Sequence, residues 1–100
     1  MNYLIFWQQR AIAEYEAAAL WYKEKSIQAL ENLEIAVNKQ INNLRTHPTQ
    51  YRKTYKEFRE IQLEKYPFNI IYLVNEAKVE VIISSLYHHQ RNPKRKYKNL

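Results

Sequence analysis

Arg59, Tyr87, His88, His89 and Arg91 are the residues of this chain whose types could do chemistry on a phosphate. Metal-independent RNA cleavage needs a base for the ribose 2′-hydroxyl proton, cations for the crowded phosphate, and an acid for the leaving oxygen. Histidine is the side-chain type that titrates near neutrality, which makes His88 the natural acid–base candidate. Arg59, ahead of the Ile61/Leu63 pair, is the candidate cation. Both have plainer uses. His88 can cap or pack a strand end, and Arg59 can donate structural hydrogen bonds. Catalysis also requires the two to converge, and the strands that would carry them need not bring them together. His88 and His89 do not make a metal site: neighbours on a strand point to opposite faces, and no third ligand is evident.

Two further stretches could grip an anion. Tyr51 to Arg59, YRKTYKEFR, interleaves Arg52, Lys53, Lys56 and Arg59 with Tyr51, Tyr55 and Phe58. Such a mixture can hold phosphates and stack bases, or it can close the end of a core while its cations face water. The chain's end, YHHQRNPKRKYKNL, is the second. Its last ten residues carry Arg91, Lys94, Arg95, Lys96 and Lys98 and no acid. The whole chain has 16 basic and 10 acidic residues, a net of +6, so the body without the tail is close to neutral. A charged tail of this kind suits an acidic partner, nucleic acid or protein, or is simply a solvated terminus. Arg52, Lys53, Lys56, His89, Arg91, Lys94 and Arg95 are the candidate target-binding residues. Deleting Arg91 to Leu100 is expected to leave the fold largely intact.

Composition excludes several classes. There is no Cys, hence no disulfide, thiolate metal site or cysteine nucleophile, a composition that suits a reducing cytoplasm. There is no Gly, hence no glycine-rich phosphate loop, and no Asp, which argues against a hard-metal cluster. No cofactor is expected. The start, MNYLIFWQQR, has a short apolar run without a basic leader or cleavage pattern, so neither a signal peptide nor a membrane span is expected there. With 46% apolar residues and no linker or repeat, residues 1–100 read as a single domain in which 91–100 form a basic tail.

The elements follow from pattern. Asn2 to Trp7 is aromatic and β-rich, a short strand. Gln8 to about Lys25 is alanine-rich and reads as a helix, with Ile12, Tyr15, Ala19 and Tyr22 on one face and Trp21-Tyr22 in the core. Ser26 is a plausible N-cap for a second helix. In that helix Leu30, Leu33, Val37, Ile41 and Leu44 recur at amphipathic spacing, and it stops before His47-Pro48 because a residue preceding proline avoids helical angles. Thr49 to Glu57 reads as a loop. Ile61 and Leu63 alternate with polar residues, a half-buried strand. Phe68 to Val74 is nearly all apolar, a central strand. Asn75-Glu76-Ala77 is a turn, and Lys78 to Leu86 alternates again. The result is an α+β fold: strand, helix, helix, then a three-stranded antiparallel meander, with the helical hairpin packed on one face of the sheet.

The order and spacing of WYKEK at Trp21–Lys25, LEIAVNKQINNLRTHPTQY at Leu33–Tyr51, Arg59, KYPFNIIYLV at Lys65–Val74 and LYHHQRNPKR at Leu86–Arg95 resemble the RelE/ParE superfamily of bacterial type II toxins, on the ParE-like side. The resemblance covers nearly the whole chain. Two departures stand out: QALEN, Gln28 to Asn32, where the family commonly has a Gly-rich interhelical turn, and Asn92 where it commonly has Asp before proline. The resemblance implies a cytoplasmic growth inhibitor neutralised by a cognate antitoxin, touching DNA only indirectly through that antitoxin, with no membrane partner. It leaves two mechanisms. ParE-like members block DNA gyrase by binding. RelE-like members are ribosome-dependent mRNA endoribonucleases, and there Arg59 and His88 would be catalytic. An inactive member retaining only antitoxin binding is a third possibility. The long helical hairpin, the Arg91-Asn92-Pro93 ending and the lack of a convincing lysine–arginine–tyrosine set favour the ParE side.

Overall fold

The computed structural model describes residues 2–100; residue 1 of the expected domain lies outside them. The chain runs β1 (Leu4–Trp7), α1 (Gln9–Lys25), α2 (Ile27–Thr46), β2 (Lys53–Tyr55), β3 (Phe58–Gln62), β4 (Phe68–Asn75), β5 (Glu80–His88) and a 3₁₀ turn (Pro93–Arg95). The five strands form one sheet in the order β1-β5-β4-β3-β2. β1 lies parallel to β5, and the other pairs are antiparallel. The architecture is α+β with the hairpin on one face, as the pattern implies. The meander gains a fourth strand, because Lys53 and Tyr55, expected in a loop, pair with β3.

The joint between the helices is one residue. Ser26 leaves α1 in an extended conformation, and its hydroxyl accepts the Ala29 N–H at 2.9 Å to cap α2. QALEN therefore lies inside α2, and no glycine turn is needed. α2 buries Leu33, Val37, Ile41 and Leu44, the stripe expected from its spacing. α1 behaves differently. Its buried residues are Ala11, Glu14 and Ala18, with Tyr15 and Tyr22 partly buried against the core. Ile12 and Trp21 face solvent, Trp21 at 54% exposure, so neither is the core residue its type suggests. Small alanines let α1 approach the sheet closely, which turns the larger apolar residues outward.

Between hairpin and sheet lie Ile61, Leu63, Phe68, Ile70, Tyr72, Val81, Ile83 and Leu86. Tyr72 is fully buried, and its hydroxyl donates to the Pro48 carbonyl at 2.7 Å. Burial pushes that phenol far above its ordinary range. The opposite face carries a second cluster of Phe58, Ile71 and Tyr87.

β1 is much shorter than the strand it borders. It pairs with β5 only from Glu80 to Ile83, and the Gln8 N–H closes on the Ile83 carbonyl at 2.9 Å. Beyond that point the edge of β5 has no strand beside it. Glu14 of α1 takes the place of one. Its Oε1 accepts the Leu86 N–H at 3.2 Å and the Ser85 hydroxyl at 2.7 Å. Its Oε2 accepts Arg91 Nη1 at 2.6 Å and Arg10 Nε at 3.5 Å. A carboxylate only 8% exposed is tolerable because these donors replace its water.

Without glycine, left-handed turn positions fall to other residues: Lys56, Lys65, Val79 and Asn99 all have positive φ. Val79, at φ 56°, is β-branched and strained. Val79→Asn is expected to raise stability by about 1 kcal/mol in urea denaturation, since asparagine tolerates this conformation. Glu14→Ala should cost about 3 kcal/mol, by stranding Leu86 N–H and the Ser85 hydroxyl. In a domain of this size that lowers the melting temperature by roughly 10 °C or more.

Candidate functional site

The two stretches singled out as anion grips are far apart in sequence and meet in space. After β5 the chain turns at Arg91 and Asn92. The Asn92 side chain accepts the Lys94 N–H at 3.0 Å, capping the 3₁₀ turn. An amide oxygen does this as well as the carboxylate common in the resembled family. The tail then crosses the sheet face opposite the hairpin. Tyr97 stacks on Tyr55 of β2 with ring centroids 4.5 Å apart, and it lies 5.9 Å from Phe58. Tyr97 and Leu100 pack on Phe58, Ile71 and Tyr87. Thr54 and Tyr55 of the first stretch and Lys96 and Tyr97 of the tail therefore share one surface.

Glu60 of β3 locks this surface. Its Oε1 accepts Lys96 Nζ at 2.8 Å and the Asn69 amide at 2.9 Å. Its Oε2 accepts the Thr54 hydroxyl at 2.9 Å and the Tyr97 hydroxyl. Burial opposes ionisation of this carboxyl, but the hydrogen bonds from Lys96, Tyr97, Asn69 and Thr54 outweigh it and hold its pKa below the ordinary value. Burial and the bond to Glu60 push the Tyr97 phenol up to about 12. Arg10 of α1 fastens the tail from its other side, donating to the carbonyls of Lys98 at 2.8 Å, Lys96 at 2.9 Å and Arg95 at 3.4 Å. Against the expectation that the tail is dispensable to the fold, it covers the apolar cluster and is held by buried charge.

Each candidate residue has a definite place. Arg52 is exposed ahead of β2. Lys53 pairs with Glu57 at 2.7 Å, and that contact holds the Glu57 carboxyl below its usual range. Lys56 sits in the β2–β3 turn, 5.2 Å from the Tyr55 ring. His89 meets the Asn69 side chain at 2.8 Å, while Arg91 is drawn to Glu14. Lys94 and Arg95 are exposed on the 3₁₀ turn. Arg10, Arg91, Arg95 and Lys98 line one basic groove of about 890 Å³ between α1 and the tail.

Arg59 and His88 do not come together. Arg59 donates to the carbonyls of Tyr51 at 2.5 Å and Thr49 at 3.2 Å, pinning the loop before β2. It sits opposite Tyr72, whereas His88 sits opposite Phe68. Those partners are four positions apart on β4, about 13 Å, with two strand spacings between β3 and β5 as well. His88 instead packs edge-on against Phe68, centroids 4.9 Å apart, at the mouth of a groove beside α1. Among the described residues no three His or acidic side chains gather as a metal site. No described helix is long and apolar enough to cross a membrane.

The family model of the ParE toxin of the type II toxin–antitoxin system, parDE, matches residues 5–93. The chain belongs to the ParE toxin family. Solved structures carry the same fold. The chromosomal ParDE toxin–antitoxin system from P. aeruginosa superposes with a TM-score of 0.67 at 21% identity, over 87% of this chain and 96% of that one. The isolated E. coli RelE toxin gives 0.58 at 18% identity, over 92% and 89%. The E. coli RelBE toxin–antitoxin complex gives 0.57 at 19% identity, over 89% and 99%. No curated protein matches the sequence significantly. In this ParE-family chain the tail contacts made by Lys96, Tyr97 and Leu100 fall beyond the family match.

Glu14 and Glu60 are the site residues that sequence reasoning passes over. Glu60 alternates with Ile61 as a solvent-facing strand residue would, and Glu14 sits among alanines like any exposed helix acid. Because the folded pKa of Glu60 lies below its ordinary 4.5, its contribution to stability is present above that pH and is lost as pH falls through the folded value. Tyr97 ring resonances should report tail release as pH is lowered below 4.5, and Glu60→Gln should remove that pH dependence. An unchanged Tyr97 titration in Glu60→Gln would refute the lock.

Proposed function

We propose that this chain is the toxin of a type II pair, neutralised by a cognate antitoxin, and that it stops growth by binding DNA gyrase rather than by cutting RNA. The observation that carries this reading is the separation of Arg59 from His88. Arg59 spends its guanidinium on two backbone carbonyls, and His88 lies at the other end of the sheet. A general acid–base group must reach the proton it moves, and a transition-state cation must reach the phosphate beside it. The basic face built from the tail and Arg52, Lys53 and Lys56 instead suits recognition of a large acidic surface. An acidic antitoxin also matches a chain of net charge +6.

A ribosome-dependent endoribonuclease is the second reading. Lys53, Lys96, Tyr55 and Tyr97 on the same face favour it, since cations beside stacked aromatic rings can hold a splayed nucleotide.

Purified protein is expected to inhibit gyrase supercoiling and to leave ribosome-loaded mRNA uncut. Charge reversals at Arg52, Lys53 and Lys56 should weaken inhibition in graded steps, more strongly at low salt, as rim charges do. His88→Ala should leave gyrase inhibition within about twofold. Cleavage of mRNA in the ribosome, abolished by substitution on the basic face, would establish the second reading instead.

A further inference from the structure

A groove of about 500 Å³ opens on the hairpin side of the molecule, between α1 and the ends of β4 and β5. Its apolar walls are Ala17, Trp21 and Tyr22 from α1 and Phe68 and Leu86 from the sheet. Trp21 stands at its rim, 54% exposed, with Lys25 Nζ 4.5 Å from its ring centroid. A large, half-exposed tryptophan over an apolar cleft has the makings of a binding hot spot.

The polar groups of the groove make it selective. His88 Nδ1 accepts the Gln90 backbone N–H at 3.0 Å. A neutral imidazole that accepts at Nδ1 carries its proton on Nε2, so His88 has a donor left to offer. Arg91 uses Nη1 on Glu14 and is 51% exposed, which leaves further N–H groups of its fork for a ligand. Glu14 is the one acid in the groove lining. A carboxylate has about four lone-pair positions. Those of Glu14 are met by Ser85, Leu86, Arg10 and Arg91. The charged groups of the groove and His88 therefore offer donors and no spare carboxylate acceptor above an apolar floor, while the Tyr22 hydroxyl and the Gln90 amide can serve as donor or acceptor. The ligand that satisfies both parts is an aromatic or branched apolar side chain with a carboxylate close beside it.

We propose that this groove receives an apolar anchor flanked by an acidic residue from the antitoxin, with Trp21 covering the anchor and His88 and Arg91 holding the carboxylate. The occupant rests on the antitoxin reading above. Charge complementarity carries it: the one acid of the groove is already paired with Arg10 and Arg91, so an acidic segment meets His88 and Arg91 as carboxylate receptors here. Apart from Arg91, the groove residues are not those proposed for the target, so the two surfaces can be tested separately. His88 then acts in partner recognition, not catalysis.

Two measurements test this. The first uses the free protein with N-acetyltryptophan, which has ring and carboxylate, and N-acetyltryptophanamide, which has the ring alone. By NMR the acid is expected to shift His88 and Trp21 resonances, with the amide binding about tenfold more weakly. His88→Phe should reduce that difference, leaving the share that Arg91 carries, while Trp21→Ala weakens both. Equal binding of the two probes, or shifts elsewhere only, would overturn the groove chemistry. The second co-expresses the chain with the product of the short reading frame adjacent to its gene. Trp21→Ala and His88→Phe, checked for unchanged melting, should each weaken the complex tenfold or more, while Lys53→Glu should not. An unaffected complex overturns the proposed occupant. Loss of gyrase inhibition in Trp21→Ala with the complex intact would assign the groove to the target. Failure of the unmodified chain to bind that protein would overturn the antitoxin reading and this occupant with it, while the probe measurement would still decide the groove chemistry.

Discussion

The structure depends on Glu14. A four-residue strand bordering a nine-residue one leaves backbone donors exposed at the inner end, where the first helix crosses. One carboxylate answers that deficit. It accepts from the edge of β5, and it binds Arg10 and Arg91, which flank it in space from the helix and from the start of the tail. Arg10 in turn holds the tail's carbonyls. Helix, sheet and tail are thus registered to each other through one buried charge. Such a charge is costly unless paired and hydrogen-bonded on every side, so its environment specifies a single arrangement.

The sheet is covered unequally on its two faces. The hairpin supplies a full layer on one. On the other, the stretch from Arg91 to Leu100 covers Phe58, Ile71 and Tyr87. It does so with Tyr97 and Leu100 and with a second carboxylate, Glu60, that takes Lys96, Tyr97, Thr54 and Asn69 at once. The basic tail serves as the cover of the domain while its outward cations remain available. Stability and the proposed recognition are joined in the same residues on this face.

Membership of the ParE family places the chain among type II toxins, but a shared fold hosts more than one chemistry. The placement of two residues supports the proposed choice between them. Arg59 is committed to the loop before β2, and His88 belongs to the groove by α1. The surfaces that remain open are a basic face with stacked tyrosines and an apolar groove with donors at its rim.

The sequence by itself determined the elements whose information is local. Leu33, Val37, Ile41 and Leu44 repeat at helical spacing, Ser26 carries a capping hydroxyl, and Phe68 to Val74 is too apolar to be anything but a central strand. The order of these elements also carried the family. Long-range contacts were not legible. Lys53 to Tyr55 is polar and short, and it becomes a strand only because β3 lies beside it. The apolar stripe of α1 was misplaced because alanines, not Ile12 or Trp21, allow the close approach to the sheet. Tyr97 finds Tyr55, and Arg91 finds Glu14, across 42 and 77 residues of chain. Only the tertiary structure decided those partners, because a charge or an aromatic ring is the same letter in sequence whether it meets water or a buried partner.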